Sequence, residues 1–76
     1  MNTQLTIHEA NQILETHIYS SVRSCESRDA DTCALIASAY FRRSTRAFID
    51  GNLEQGEHDF SMGQKWIKCA LTAARL

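Results

Sequence analysis

Two neighbouring stretches of the sequence alternate large and small residues in steps of seven, and this pattern limits the folds that the chain can adopt. The second stretch carries the series Leu53, Phe60, Ile67 and Ala74 and the series Gly56, Gly63 and Ala70, and the first carries Ala34, Phe41 and Phe48 and Ala37, Ser44 and Gly51. A repeat of seven keeps its members on one side of an α-helix. Small residues on that side let two helix backbones approach closely. The pattern predicts two tightly packed helices.

The two stretches are separated by a short connection, Asp50-Gly51-Asn52. Glycine suits the position after the last helical residue, because it adopts the left-handed backbone conformation without strain. Asparagine favours the N-cap of the next helix, and Gln55 stands at the capping-box position. Because the connection is short, we expect the two helices to fold back on each other as an antiparallel hairpin.

Gly56 and Gly63 are unusual residues for the buried side of a helix. Each lowers helix stability by about 0.8–1 kcal/mol relative to alanine, which suggests a spatial reason for their placement. The first interpretation is that they make room for Phe41, Phe48 and Phe60 within the hairpin. The second is that they form a close-contact surface for a helix of a partner.

A further helix is predicted before the hairpin. Thr6-Ile7-His8-Glu9 has the form of a capping box, which marks a helix N-terminus. The residues that follow on one side at helical spacing are Ile7, Ala10, Leu14, Ile18, Ser21, Val22 and Cys25. The polar stretch that begins at Cys25 predicts a turn.

The predicted architecture is therefore all-α, with one domain over residues 1–76 and no strand. Helix 1 is expected at about 7–24, helix 2 at about 31–50 and helix 3 at about 53–75. Helices 2 and 3 form the close-packed antiparallel hairpin, and helix 1 covers one flank.

Helix 3 carries a second apolar seam, which includes Trp66. A helix at the edge of a three-helix bundle needs only one apolar stripe, and a 76-residue chain buries little surface alone. We therefore expect a helical-bundle homodimer or a protein partner. The residues predicted for self-association or partner binding are Tyr40, Met62, Trp66, Cys69, Ala73 and Leu76.

The hairpin resembles a tetratricopeptide repeat unit in the spacing of its small and aromatic residues. The residues that carry the resemblance are Tyr40, Ser44, Ala47, Phe48, Gly51, Asn52, Gly56, Phe60 and Gly63. The resemblance covers about half of the chain, Arg43 stands where that family has an apolar residue, and no second repeat follows. It implies a helical hairpin and does not imply membership of the family.

The sequence predicts neither catalysis nor a bound cofactor. His8, His17 and His58 form no pair four residues apart, the spacing that would place two imidazoles on one helical face to bind a metal. No glycine-rich loop follows a strand, and no base is placed against a nucleophile. We expect a non-enzymatic protein without a metal or another cofactor.

One basic cluster, Arg42-Arg43-Ser44-Thr45-Arg46, supports an alternative function. Guanidinium groups on one helix contact phosphates, and a dimer would present the cluster twice. The alternative is thus a dimeric nucleic-acid-binding regulator that uses Arg42, Arg43 and Arg46. A net charge of −1 provides no long-range attraction for nucleic acid, so a solvated helix face or ion pairing is the favoured interpretation.

We expect a small cytoplasmic adaptor or inhibitor that binds a larger protein through an apolar helical face. No stretch approaches the roughly 18 apolar residues of a membrane span, and the N-terminus lacks the features of a signal peptide. The cysteines number three and form no C-x-x-C pair, which argues against a secreted disulfide framework. The chain has the size of accessory proteins of bacteria and their mobile elements.

Overall fold

The computed structural model describes residues 5–17 and 30–75. Within these ranges the protein consists of three α-helices, α1 (Ile7–Thr16), α2 (Ala30–Ile49) and α3 (Leu53–Arg75), and contains no strand. The predicted all-α fold is confirmed. α2 and α3 pack against each other along their lengths, and α1 packs mainly on α2. None of the helices in these ranges is long and apolar enough to cross a lipid bilayer.

α1 begins at the capping box that the sequence predicts. The Thr6 backbone N–H donates to Glu9 Oε1 at 3.0 Å, and the Glu9 N–H donates to Thr6 Oγ1 at 3.1 Å. Hydrogen bonds from the Thr6 backbone and, to a lesser extent, from its side chain lower the pKa of the Glu9 carboxyl by stabilising its charged form. Two backbone groups that the helix cannot pair are thereby satisfied.

The C-terminus of α1 lies before the predicted limit of about residue 24. Thr16 is the last helical residue, and His17 leaves the helix with φ −109° and ψ 24°. The Thr16 hydroxyl donates to the Gln12 carbonyl at 2.9 Å, a local hydrogen bond of the kind that weakens helix ends. The predicted positions Ile18, Ser21, Val22 and Cys25 lie outside the described residues.

The connection between α2 and α3 is a Schellman turn followed directly by an N-cap. Gly51 has φ +82°, its N–H donates to the Phe48 carbonyl at 3.1 Å, and the Asn52 N–H donates to the Ala47 carbonyl at 2.8 Å. The Asn52 side chain then accepts from the Gln55 N–H at 3.2 Å. The reciprocal bond of a capping box is missing, because the Gln55 side chain donates to Asp59 instead.

The seam between α2 and α3 is closed by phenylalanine rings seated on glycines. A Cβ atom added to Gly56 would lie 2.7 Å from the Phe48 ring, and one added to Gly63 would lie 2.7 Å from the Phe41 ring. Both distances are far below van der Waals contact, so the rings occupy space that any other residue would fill. The first interpretation of the glycines, that they make room for phenylalanine within the hairpin, is confirmed for Phe41 and Phe48.

The core lies where α1 crosses the hairpin. Trp66, with 1% of its surface exposed, is its largest side chain. The core consists of Ala10, Leu14, Cys33, Ile36, Ala37, Ala39, Trp66, Cys69 and Ala70. Among the described residues the indole N–H of Trp66 has no acceptor, a cost of about 1–3 kcal/mol that burial of the large ring offsets.

We expect Gly63→Ala to destabilise the fold by up to about 2 kcal/mol. The helix gains about 1 kcal/mol from the alanine, but the added methyl group collides with the Phe41 ring, and overpacking costs about 1–3 kcal/mol. Phe41 is half-buried and packs against the core, so its ring has little room to move. Urea unfolding followed by circular dichroism measures the change.

Gly56→Ala is the matched control, because the Phe48 ring that it meets is 41% exposed and can rotate towards solvent. We expect a change within about 1 kcal/mol of zero. Equal destabilisation by both substitutions would contradict the difference that we assign to the two rings.

Candidate protein-binding face

The second apolar seam of α3 is covered within the chain itself. Trp66 and Cys69, which the sequence predicts as partner-binding residues, are core residues with 1% and 6% of their surfaces exposed. Met62 and Tyr40 are half-buried and pack against the same core. The elements that cover this seam of α3 are α1 and α2. The sequence pattern alone does not show which elements cover it.

The other two predicted partner-binding residues are Ala73 and Leu76. Ala73 is half-buried near the C-terminus of α3. Leu76 lies outside the described residues. The predicted set therefore does not form one exposed surface.

Most of the exposed large apolar side chains lie on α3, along or beside its seven-residue series, and Phe48 of α2 lies next to them. On α3, the exposed fractions are 62% for Leu53, 47% for Phe60, 37% for Ile67 and 55% for Leu71, and Phe48 of α2 is 41% exposed. Phe41 is half-buried beside them, and its ring lies 5.5 Å from the Phe60 ring at an angle of 59°. We define the apolar face as Phe41, Phe48, Leu53, Phe60, Ile67 and Leu71.

The glycines explain why this face continues across two helices. Gly56 and Gly63 stand four residues before and three residues after Phe60, so both lie on the side of α3 that faces α2. The Phe48 and Phe41 rings rest on them and emerge beside α3. A groove of about 310 Å³ runs along Phe41 and Ile67. The face is thus a shallow apolar surface of the hairpin.

A buried carboxylate lies on another side of the hairpin. Asp59 is 1% exposed, and its Oδ2 atom lies 3.5 Å from Arg43 Nε and accepts from Gln55 Nε2 at 3.0 Å. His58 Nδ1 lies 3.2 Å from Oδ1. Both carboxylate oxygens therefore have partners, and no hydroxyl or thiol nucleophile is among them. The arrangement joins α2 to α3.

Tyr40 lies beside this ion pair. Burial raises the pKa of its hydroxyl, the Arg43 charge acts in the opposite direction, and the Asp59 charge acts in the same direction as burial. Tyr40 and Arg43 line a cleft of about 360 Å³ together with Asn11, Leu14, Glu15 and His17 of α1. The phenol remains neutral at physiological pH.

The three arginines predicted for nucleic-acid contact all have partners within the chain. Arg42 Nε donates to the Leu5 carbonyl at 2.8 Å and so ties the start of α1 to α2. Arg43 pairs with buried Asp59, and Arg46 Nε lies 3.2 Å from Asp50 Oδ2 on the surface. The three side chains serve three different contacts, so they do not form one unpaired basic patch.

The sequence analysis missed Leu53, Phe60, Ile67 and Leu71 as surface residues. A signal for their exposure is present, because the positions three or four residues away on one side are Glu57, Gln64, Lys68 and Arg75, which are all polar. A stripe with glycine on one side and charge on the other is typical of the rim of a helix contact.

Comparisons with models of known protein families, with curated proteins and with solved structures found no match to this chain. Within residues 5–17 and 30–75, no three or more histidine, cysteine or acidic side chains are grouped so that they could hold a metal ion.

We expect Arg43→Ala to destabilise the fold by about 1–3 kcal/mol, because it removes a charged partner from the buried Asp59 carboxylate. Gln55 and His58 still contact that carboxylate, which limits the loss. Denaturant unfolding measures the effect.

Arg46→Ala is the control in the same helix. Arg46 and Asp50 are 54% and 53% exposed, and a surface pair of this kind contributes at most about 0.5 kcal/mol. An equal loss in both variants would show that the burial of Asp59 does not set the strength of its ion pair.

Proposed function

We propose that this chain is a small, non-enzymatic, cytoplasmic protein-binding module, an adaptor or inhibitor that uses its apolar face to bind a helix of another protein chain. The supporting observation is the contiguous row of apolar side chains on the hairpin, four of them on α3 with 37% to 62% of their surfaces exposed. Exposed apolar surfaces of this kind mark interaction sites.

The dimensions of the face favour a helical partner. Leu53, Phe60 and Ile67 recur every seven residues, and Leu71 follows four residues after Ile67. Such spacing complements the apolar stripe of an amphipathic helix, whose anchors repeat at three, four and seven residues. The groove that Phe41 and Ile67 line can receive one of these anchors.

Aromatic side chains make the centre of the face the strongest part of the proposed contact. Phe60 stacks at an angle on Phe41, so its ring is held in place before a partner arrives. An anchor that is already ordered loses little conformational freedom on binding. The Phe41–Phe60 pair therefore takes the role that the sequence analysis gave to Trp66.

A photoreactive phenylalanine analogue in place of Phe60 tests the proposal in cells that produce the chain. We expect a discrete cross-linked product, either of twice the chain mass or of the mass of a larger partner plus the chain. The same analogue in place of Ile49, which is 70% exposed and lies outside the apolar face, should give none. Equal products from both positions, or none from either, would argue against binding through this face.

Leu71→Gln should weaken that contact about 5- to 30-fold, because burial of the leucine side chain on binding contributes about 1–2 kcal/mol. Folding should be little affected, since leucine and glutamine have similar helix propensities and the site is 55% exposed. The yield of the cross-linked product and the dissociation constant of the purified complex measure the loss.

Leu35→Gln is the matched control for this substitution. Leu35 is 43% exposed on α2 but lies outside the apolar face. It should leave binding within about 2-fold of the unmodified chain. A loss as large as that of Leu71→Gln would mean that general hydrophobicity, and not this face, drives the association.

The alternative function, nucleic-acid binding by Arg42, Arg43 and Arg46, is less well supported because each guanidinium has an intrachain contact. Salt distinguishes the two functions. Binding to nucleic acid would weaken steeply as salt rises, whereas apolar contacts respond little. Arg46→Ala is the informative variant, since its ion pair is exposed and its loss leaves the fold intact.

A further inference from the structure

The two edges of the apolar face differ in charge. On the α2 edge, the exposed residues beside Phe41 are Ser38 and Thr45, which are neutral. On the α3 edge, the exposed residues at positions three or four from the apolar series are Glu57, Gln64, Lys68 and Arg75. Among the described residues at these edge positions, the charged ones are on α3.

These charges are ordered along the helix axis. Glu57 is near the N-terminal end of α3, Gln64 is central and neutral, and Lys68 and Arg75 follow towards the C-terminal end. Within the part of the chain that the structure describes, none of the three charged side chains is in an ion pair. The edge therefore carries an unpaired negative half and an unpaired positive half.

Such an edge is complementary to itself when two copies run antiparallel. A two-fold axis perpendicular to α3, passing between Gly63 and Gln64, places Phe60 opposite Ile67 of the second copy. Glu57 lies about 10 Å before that point and Lys68 about 7 Å after it, at 1.5 Å per residue. Glu57 of one copy and Lys68 of the other are therefore offset by about 3 Å along the helix axis, which a lysine side chain can span. The two-fold axis generates this ion pair twice, once at each end of the contact.

A parallel arrangement loses this complementarity. In a parallel two-fold arrangement through the apolar face, the symmetry axis runs along the helices and places the α3 edges of the two copies on opposite sides of the contact, so Glu57 does not meet Lys68 of the second copy. If α3 lies on α2 of the second copy, the charges face Ser38 and Thr45. Only the antiparallel pairing of α3 with α3 satisfies both halves of the edge.

We propose that a second copy of this chain binds the apolar face through its own α3, antiparallel and two-fold symmetric, with reciprocal Glu57–Lys68 ion pairs at the edge. The inference rests on the proposed function, because it identifies the helix that the face binds. An isologous contact of this kind closes on itself and gives a discrete dimer.

Charge exchange tests the arrangement by sedimentation equilibrium at low ionic strength, where surface charges are screened least. Lys68→Glu and Glu57→Lys each place two like-charged contacts in the homodimer, so we expect the dissociation constant to rise about 5- to 30-fold. The double variant with both changes exchanges the signs and restores dimerisation. An equimolar mixture of the two single variants should form the mixed dimer in preference to either homodimer.

The double variant also controls for folding, since it carries both substitutions and still dimerises if the pairing is correct. In a parallel dimer, neither single change alters the number of like-charged contacts, so unchanged single variants would overturn the antiparallel arrangement. A dimer insensitive to Leu71→Gln would overturn the face as its site.

A wild-type chain that stays monomeric up to about 1 mM would also overturn the inference. A monomeric chain would refute the dimer without refuting the proposed function. A cross-linked product at position 60 with the mass of a larger protein would still support binding of a helix from a different protein. Absence of both the dimer and any such product would refute the two proposals together.

Discussion

The close approach of α2 and α3 at Gly56 and Gly63 is the contact on which the other features of the molecule depend. Each glycine leaves a gap of one side chain, and a phenylalanine ring from α2 fills it at a distance that excludes even a methyl group. Phe41 and Phe48 therefore emerge beside α3, and the packing of the hairpin creates the apolar face.

Apolar packing of rings on glycines does not by itself fix the axial register of α2 relative to α3. Polar contacts between the two helices fix that register. The Ser44 hydroxyl donates to the Gly56 carbonyl at 2.7 Å in a buried position, and Arg43 pairs with the buried Asp59 carboxylate. A slip of one helical turn would move these partners about 5.4 Å apart and leave the carboxylate without its cation. Such a register costs far more than it gains, because a buried charge without a partner is strongly destabilising.

The main outline of the fold is predictable from the sequence because its signals are local. Gly51 and Asn52 mark the turn, Thr6 and Glu9 mark the start of α1, and the seven-residue series marks the hairpin. Which side of α3 is covered is not a local property. It depends on where α1 packs, and periodicity identifies two apolar stripes without saying which one α1 meets.

The intrachain partners of the basic cluster could not be predicted from the sequence for a related reason. A run of arginines indicates a surface patch only if acidic partners are absent, and sequence distance hides them. The Arg46–Asp50 pair is local, because the two residues are four apart in the sequence. The Arg43–Asp59 pair forms only because α3 folds back on α2. The acidic partner of a helical cation is thus often found on the neighbouring helix, where only the fold can place it.

The distribution of paired and unpaired charges gives the strongest argument for what the apolar face does. Charges that stabilise the fold are used within it, as in the contacts of Arg42, Arg43 and Arg46. Those along the free edge of α3, Glu57 and Lys68 among them, have no ion pair within the described residues. The signs along this edge run from negative to positive beside apolar side chains, an order that also complements the macrodipole of α3. When two such helices lie antiparallel, the negative end of one edge lies beside the positive end of the other. The order of charges therefore suits an antiparallel contact between two identical helices.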